Sequence, residues 1–152
     1  MKKMTVLLIA AIFSGILTLQ AVPPNSGWFT TMAAAQKVAK AGDKKIYALF
    51  TGSDWCPYCV KLEKDVLKQK KFDEFAKDKL VLLYLDFPRG RKLPPKESEA
   101  NRALAEKYGV TGYPTAVILD SDGNAIDKIV GPNPVDDYLK RLQAALDKGN
   151  TK

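Results

Sequence analysis

Apolar residues fall along this chain in two distinct rhythms, and the rhythms predict its elements. Trp28, Met32, Ala35 and Ala39 recur every three or four positions, which predicts an amphipathic helix ending near Gly42. Ile46-Tyr47-Ala48-Leu49-Phe50 is then an unbroken apolar run of strand length, after which Cys59, Leu62 and Val66 return to helical spacing. A second continuous run over 80–85 predicts a central strand covered on both faces. A helix is predicted over 97–108, and strands over 116–119 and 125–130 flank Asp120-Ser121-Asp122-Gly123-Asn124, which reads as a hairpin turn. Val135, Tyr138, Leu139, Leu142 and Leu146 predict a closing helix, with Asn133 as its candidate cap. Helix, strand, helix, strand, helix, strand, strand, helix is the order of an α/β sandwich with a mixed central sheet. No internal repeat interrupts it. The proline-rich stretch 87–96 is its long irregular segment, with no role legible in the sequence.

The first residues follow neither rhythm. Lys2 and Lys3 precede a charge-free apolar run from Met4 to Leu19, shorter than the roughly 20 residues that span a bilayer, and small Ala21 follows. This pattern predicts an export signal over residues 1–21 and one domain over 22–152. Leu19 fits poorly at the third position before a cut after Ala21, so an uncleaved anchor stays open as the alternative. No cysteine follows the run, which argues against a lipoprotein.

Composition narrows the chemistry. The 152 residues are 46% hydrophobic and 27% charged, enough apolar content for one core and too much for a disordered chain. There is no histidine, which excludes Ser-His-Asp and Cys-His nucleophile systems and HExxH zinc sites. A formal charge of +7 is mild once Lys2 and Lys3 are set aside. The clusters Lys68, Lys70, Lys71 and Arg89, Arg91, Lys92 read as solvated surface, with no nucleic-acid recognition motif around them.

The two cysteines, Cys56 and Cys59, stand in Trp55-Cys56-Pro57-Tyr58-Cys59. As a staple the pair is weak, because disulfide stabilisation grows with the length of the loop closed. Structural zinc wants four ligands, and two thiolates without imidazole supply half of them unless a dimer completes the site. Redox chemistry is therefore the favoured reading. A metal carrier, copper above all, and an inert disulfide remain as alternatives.

Placement supports the redox reading. The strand at 46–50 leads through Thr51-Gly52-Ser53-Asp54 into the pair, and Pro57 suits the first position of a helix. Cys56 is then set at a helix start, facing unpaired N–H groups and the positive end of the dipole. Lowering a thiol from about 8.5 to about 7 needs about 2 kcal/mol. The dipole supplies roughly 0.3–1 kcal/mol in exposed settings. Hydrogen bonds to the sulfur, from backbone N–H groups and the Cys59 thiol, are expected to supply the remainder. Cys56 is the expected exposed, attacking thiolate and Cys59 the resolving thiol.

The combination of a strand, Trp55-Cys56-Pro57-Tyr58-Cys59, a helix and Gly109-Val110-Thr111-Gly112-Tyr113-Pro114-Thr115 before a new strand resembles the thioredoxin superfamily. Gly27-Trp28, Asp86-Phe87-Pro88-Arg89 and Lys107-Tyr108-Gly109-Val110 make it similar in particular to exported bacterial thioredoxin-like proteins of the disulfide-reductase type. The resemblance covers most of residues 22–152. It implies a three-layer sandwich, a cis Pro114 facing Cys56, and backbone pairing of an extended substrate at Tyr113. Trp55, Pro57 and Tyr58 complete the implied substrate-binding surface. It also implies protein disulfide or thiol substrates, a membrane-bound redox partner, a bacterial periplasmic location, and no cofactor beyond the cysteines. The buried acid that thioredoxins carry before the site is missing from Ala48-Leu49-Phe50. Glu63 matches an acidic position of periplasmic reductase domains and is the candidate proton-transfer group, with a solvated helix residue as the alternative. Pro57-Tyr58 is the dipeptide familiar in glutaredoxins, but the surroundings of Pro114 do not imply glutathione binding. The helical insertion of the main periplasmic oxidants is absent, which favours a reductase or isomerase over an oxidase.

Overall fold

A computed structural model describes residues 27–150; the predicted export signal lies outside them. The elements run α1 (Met32–Gly42), β1 (Lys45–Thr51), α2 (Pro57–Leu62), a π-helical turn (Glu63–Leu67), α3 (Lys70–Ala76), β2 (Leu80–Asp86), α4 (Pro95–Lys107), β3 (Thr115–Leu119), β4 (Ala125–Val130) and α5 (Val135–Asn150). The sheet order is β2-β1-β3-β4, parallel between β1 and β2 and antiparallel elsewhere.

Side chains of a strand alternate between faces, and that period of two builds the layers here. Tyr47 and Leu49 point into a core shared with the π turn, α3 and α5, among them Val66, Phe72, Tyr138 and Leu142. Ile46, Ala48 and Phe50 point the other way, onto Ala35 and Ala39 of α1 and Ala105 of α4. The outcome is a thioredoxin-like three-layer α/β sandwich. On the first face the Tyr47 and Tyr138 hydroxyls meet at 2.6 Å, tying β1 to α5. Burial raises the pKa of both phenols, so they stay neutral and share one hydrogen bond.

Several expectations are corrected. The apolar run of β2 is buried on both faces, yet the strand lies at the end of the four-stranded sheet, and β1 and β3 are central. The outer edge of β2 is occupied by Phe29, whose N–H donates to the Leu82 carbonyl and whose carbonyl accepts from Tyr84, both at 2.8 Å. Trp28 is not part of the first helix. It packs edge-on against Tyr47 and Tyr84, on the sheet face opposite α1. Helix α1 begins only after Thr31, whose hydroxyl accepts from Ala34 N–H at 3.4 Å. Helix α4 starts two residues earlier than expected because Pro95 serves as its first residue. Asn133 does not cap α5; Pro134 precedes the helix, and its carbonyl accepts from Tyr138 N–H at 2.9 Å.

Helix α3 was not anticipated. A π turn holds one residue more than an α turn, so the consecutive residues Val66 and Leu67 are both buried and the helical period slips. Phe72 and Ala76 then anchor α3, while Lys68, Lys70 and Lys71 pair outward with Glu63, Glu74 and Asp136. The hairpin after β3 forms where expected. Asp120 Oδ1 accepts from the N–H groups of Asp122 and Asn124, and Gly123 takes the positive φ of 84° that a side chain disfavours.

Candidate active site

The site grows from the end of β1. Gly52 lets the chain turn so tightly that a Cβ there would lie 2.5 Å from the Trp55 ring. Cys56 N–H bonds back to the Gly52 carbonyl at 3.0 Å, and Pro57 opens α2 with Cys56 as the residue before it. Cys56 and Cys59 form a disulfide, with Cα atoms 5.2 Å apart. The Cys56 sulfur accepts from Cys59 N–H at 3.3 Å, and the Cys59 sulfur accepts from Gly52 N–H at 3.4 Å. One donor expected of a helix start, the Cys59 N–H, is thus in place at Cys56, while the Gly52 N–H at the end of β1 serves Cys59. Such donors favour a thiolate over a thiol once the pair is reduced.

Exposure does not divide the two cysteines as expected. In the disulfide both residues are buried, Cys56 at 4% and Cys59 at 3% exposure. Their surroundings differ instead. The Cys56 sulfur lies 3.6 Å from the Tyr113 carbonyl oxygen, at the rim, and the Tyr113–Pro114 peptide bond is cis. The Cys59 sulfur is turned inward to the β1 turn.

Around Cys56 the structure gathers most of the residues singled out by sequence. Tyr58 is 65% exposed beside it, and Pro57 is exposed on the same helix start. Trp55 meets Tyr113 edge-on at 6.0 Å, and Tyr113 lies against Phe87 at 4.9 Å. Partial burial raises the pKa of Tyr113. Pro114 is buried behind this aromatic wall. Glu63 is set apart from the wall. It begins the π turn with its N–H bonded to the Cys59 carbonyl, and its carboxylate holds Lys68 Nζ at 2.6 Å. It also adds to the negative field that, after burial and Asp86, pushes the Tyr84 phenol upward.

Sequence reading missed the residues that brace the site from the neighbouring strand. Asp86 ends β2 opposite Thr51 and is 1% exposed. Its Oδ1 accepts from the N–H groups of Ser53 at 3.0 Å and Phe87 at 2.9 Å. Its Oδ2 accepts from Ser53 Oγ at 2.7 Å and from the Arg91 guanidinium. The lone charge closing an apolar run was the signal available for it. Asp54 does not replace the missing buried acid and has another task. Its carboxylate accepts from Arg89 N–H at 3.0 Å and Gly90 N–H at 2.6 Å, clamping the 87–96 loop. Those bonds, that of Arg89 foremost, hold its pKa below the ordinary aspartate value against the opposing effect of desolvation. Trp55 Nε1–H donates to the Phe87 carbonyl at 2.7 Å, and the Arg89 guanidinium lies 3.5 Å above the Trp55 ring.

Comparison with known proteins agrees with this geometry. The profile of the thioredoxin-like domain matches residues 32–146. A disulfide bond reductase, DsbH of Chlamydia pneumoniae, is 32% identical over 80% of this chain and 74% of its own length. The solved structure of a DsbH oxidoreductase superposes with a TM-score of 0.74 and 30% identity, covering 86% of this chain and 93% of that one. A thiol:disulfide interchange protein, DsbD of Pasteurella multocida, is 30% identical over 76% of this chain, which spans only 19% of that longer protein. A cysteine pair at a helix start, a tyrosyl-proline facing it and this pattern of similarity place the chain in the thioredoxin-like family, as a thiol–disulfide oxidoreductase.

Proposed function

We propose that the chain reduces or isomerises disulfides of exported proteins in the bacterial periplasm, and is itself re-reduced by a membrane-bound thiol donor. The placement of the Cys56 sulfur carries this reading: it receives the Cys59 N–H and stands 3.6 Å from the Tyr113 carbonyl, where an extended substrate strand can pair. The name of the DsbH relative, a disulfide bond reductase, supports the direction of electron flow. The lysine-led apolar run in residues 1–21 supports export.

The exchange follows from these positions. The Cys56 thiolate attacks one sulfur of the substrate disulfide, and the other substrate sulfur leaves as a thiolate that takes up a proton. Cys59, deprotonated in turn, attacks the Cys56 sulfur of the mixed disulfide and expels the second substrate thiolate. Two electrons pass to the substrate and the Cys56–Cys59 disulfide remains for the donor. Glu63, one helical turn beyond Cys59 and with its carboxylate held by Lys68, is the group assigned to move the Cys59 proton. Trp55, Pro57, Tyr58, Tyr113 and Pro114 form the surface that receives the substrate backbone.

Insulin reduction with a dithiol donor tests the scheme. Cys56→Ser abolishes turnover, and Cys59→Ser accumulates mixed disulfides visible by mass spectrometry; equal activity in both variants removes the reading. Equilibration against glutathione gives the direction. A potential more negative than about −200 mV fits a reductase, whereas one near about −120 mV makes the protein an oxidant. For Glu63→Gln, the pH profile of mixed-disulfide resolution shifts upward; an unchanged profile removes the proton-transfer role.

A further inference from the structure

The loop leaving β2 is a rigid extension of the redox turn. Phe87 N–H bonds to the Thr51 carbonyl at 2.8 Å, Asp54 holds the N–H groups of Arg89 and Gly90, and the Phe87 carbonyl holds the Trp55 indole. Beyond that loop, against the start of α4, lies a cleft of about 600 Å³. It is lined by Phe87, Pro88 and Leu93 and by Arg89, Arg91, Lys92 and Arg102 against two acids, Asp86 and Glu99. Arg91 is neutralised by Asp86. Among the described residues no carboxylate forms an ion pair with the side chain of Arg89, Lys92 or Arg102, although Asp54 holds the Arg89 main-chain N–H.

We infer that this cleft docks an acidic segment of the protein whose cysteine exchanges with Cys56. The inference rests on the exchange reaction proposed above and adds a substrate class to it. Arg89 connects the two places, since its guanidinium covers the ring of the residue next to Cys56. A Cα step of about 3.8 Å plus two side-chain lengths sets the cleft on the order of 10–15 Å from the reacting sulfur. An extended chain advances about 3.3 Å per residue, so the acids of the partner fall roughly three to five residues from its cysteine. An extended chain can set apolar side chains on Phe87, Pro88 and Leu93 and its acids on the neighbouring cations.

The test compares disulfide-linked peptides that carry Asp and Glu, Ser, or Lys at those positions on either side of the cysteine. The full chain is expected to reduce the acidic peptide with a kcat/KM about fivefold above the serine peptide at low salt, the range that three exposed cations support. That ratio falls toward one near 0.5 M salt, where screening is short-ranged. Lys92→Glu with Arg102→Glu turns the ratio below one. A ratio of one in the wild-type chain, or one that the charge reversal leaves unmoved, overturns the inference. If that variant fails to fold by circular dichroism, Lys92→Gln with Arg102→Gln and the wild-type salt dependence decide between the same two outcomes. Fluorescence anisotropy of the peptides with Ser in place of Cys reads docking without the chemistry. Acidic peptides that bind this way but are never reduced leave the cleft standing and overturn the exchange reading alone. Binding to phosphatidylglycerol vesicles in preference to acidic peptides assigns the cleft to a membrane and overturns the proposal.

Discussion

Replacing Asp86 by Ala and by Asn separates the two tasks of one buried carboxylate. Oδ1 takes the two backbone N–H groups of Ser53 and Phe87, while Oδ2 takes the Ser53 hydroxyl and the Arg91 guanidinium. Asp86→Ala leaves the Ser53 N–H without a partner, at about 1–3 kcal/mol, while the Phe87 N–H keeps the Thr51 carbonyl at 2.8 Å. The hydroxyl can rotate toward another acceptor, and Arg91, whose side chain is 42% exposed, can return to water. The expected loss is about 2 kcal/mol of stability. Asp86→Asn keeps an oxygen at the Oδ1 position but sets an NH2 donor at Oδ2, so the Arg91 bond and its charge are lost and the Ser53 hydroxyl must turn from donor to acceptor. Exposure of Arg91 discounts that pairing to about 1 kcal/mol or less. Urea unfolding of the oxidised chain, extrapolated linearly, measures both. The exchange rate should follow the same order, because the Asp86 contacts hold the turn that leads into Trp55 and Cys56. Equal losses for the two variants, or a loss below about 1 kcal/mol for Ala, would refute the division of labour between the oxygens.

Three further outcomes are expected. Tyr47→Phe and Tyr138→Phe each orphan a buried hydroxyl and cost about 1–3 kcal/mol, while the double variant costs less than their sum; strictly additive losses in a double-mutant cycle contradict the shared bond. Gly52→Ala places a Cβ 2.5 Å from the Trp55 ring, so the indole must leave the Phe87 carbonyl; unchanged tryptophan emission would show that it does not. Asp54 is held below the ordinary aspartate value, so its clamp on Arg89 and Gly90 contributes stability above that value and loses it as pH falls through the lower, folded one. A carboxyl NMR titration with its midpoint at or above the ordinary value argues against the clamp.

The relation between sequence and structure is clearest at particular residues. The runs at 46–50 and 80–85 read as strands because both of their faces are buried, so no alternation hides them. A sequence period cannot say which strand ends the sheet, however, and the Phe29 bridge on the edge of β2 depends on a contact across 54 residues. Trp28 matched a helical spacing with Met32 by coincidence of distance; its ring belongs to the opposite face of the sheet. Helix α3 stayed hidden because the π turn breaks the period that would have revealed it.

The cysteine pair and its helix start were legible from the chain alone, since local spacing and local backbone preference dictate them, whereas the tyrosyl-proline was legible only through the resemblance to the thioredoxin superfamily. Local order also fixed the succession of the other elements, the π turn and α3 excepted, because each is encoded by its own run of apolar residues. The bracing of the site was decided only by the fold. Asp86 reaches Ser53 across a parallel strand pair, Asp54 reaches Arg89 and Gly90 across the cleft between two loops, and Tyr113 comes to Cys56 from a distant turn. Such contacts join residues far apart in sequence, and their partners are chosen by register and layer packing, which no short window of residues encodes.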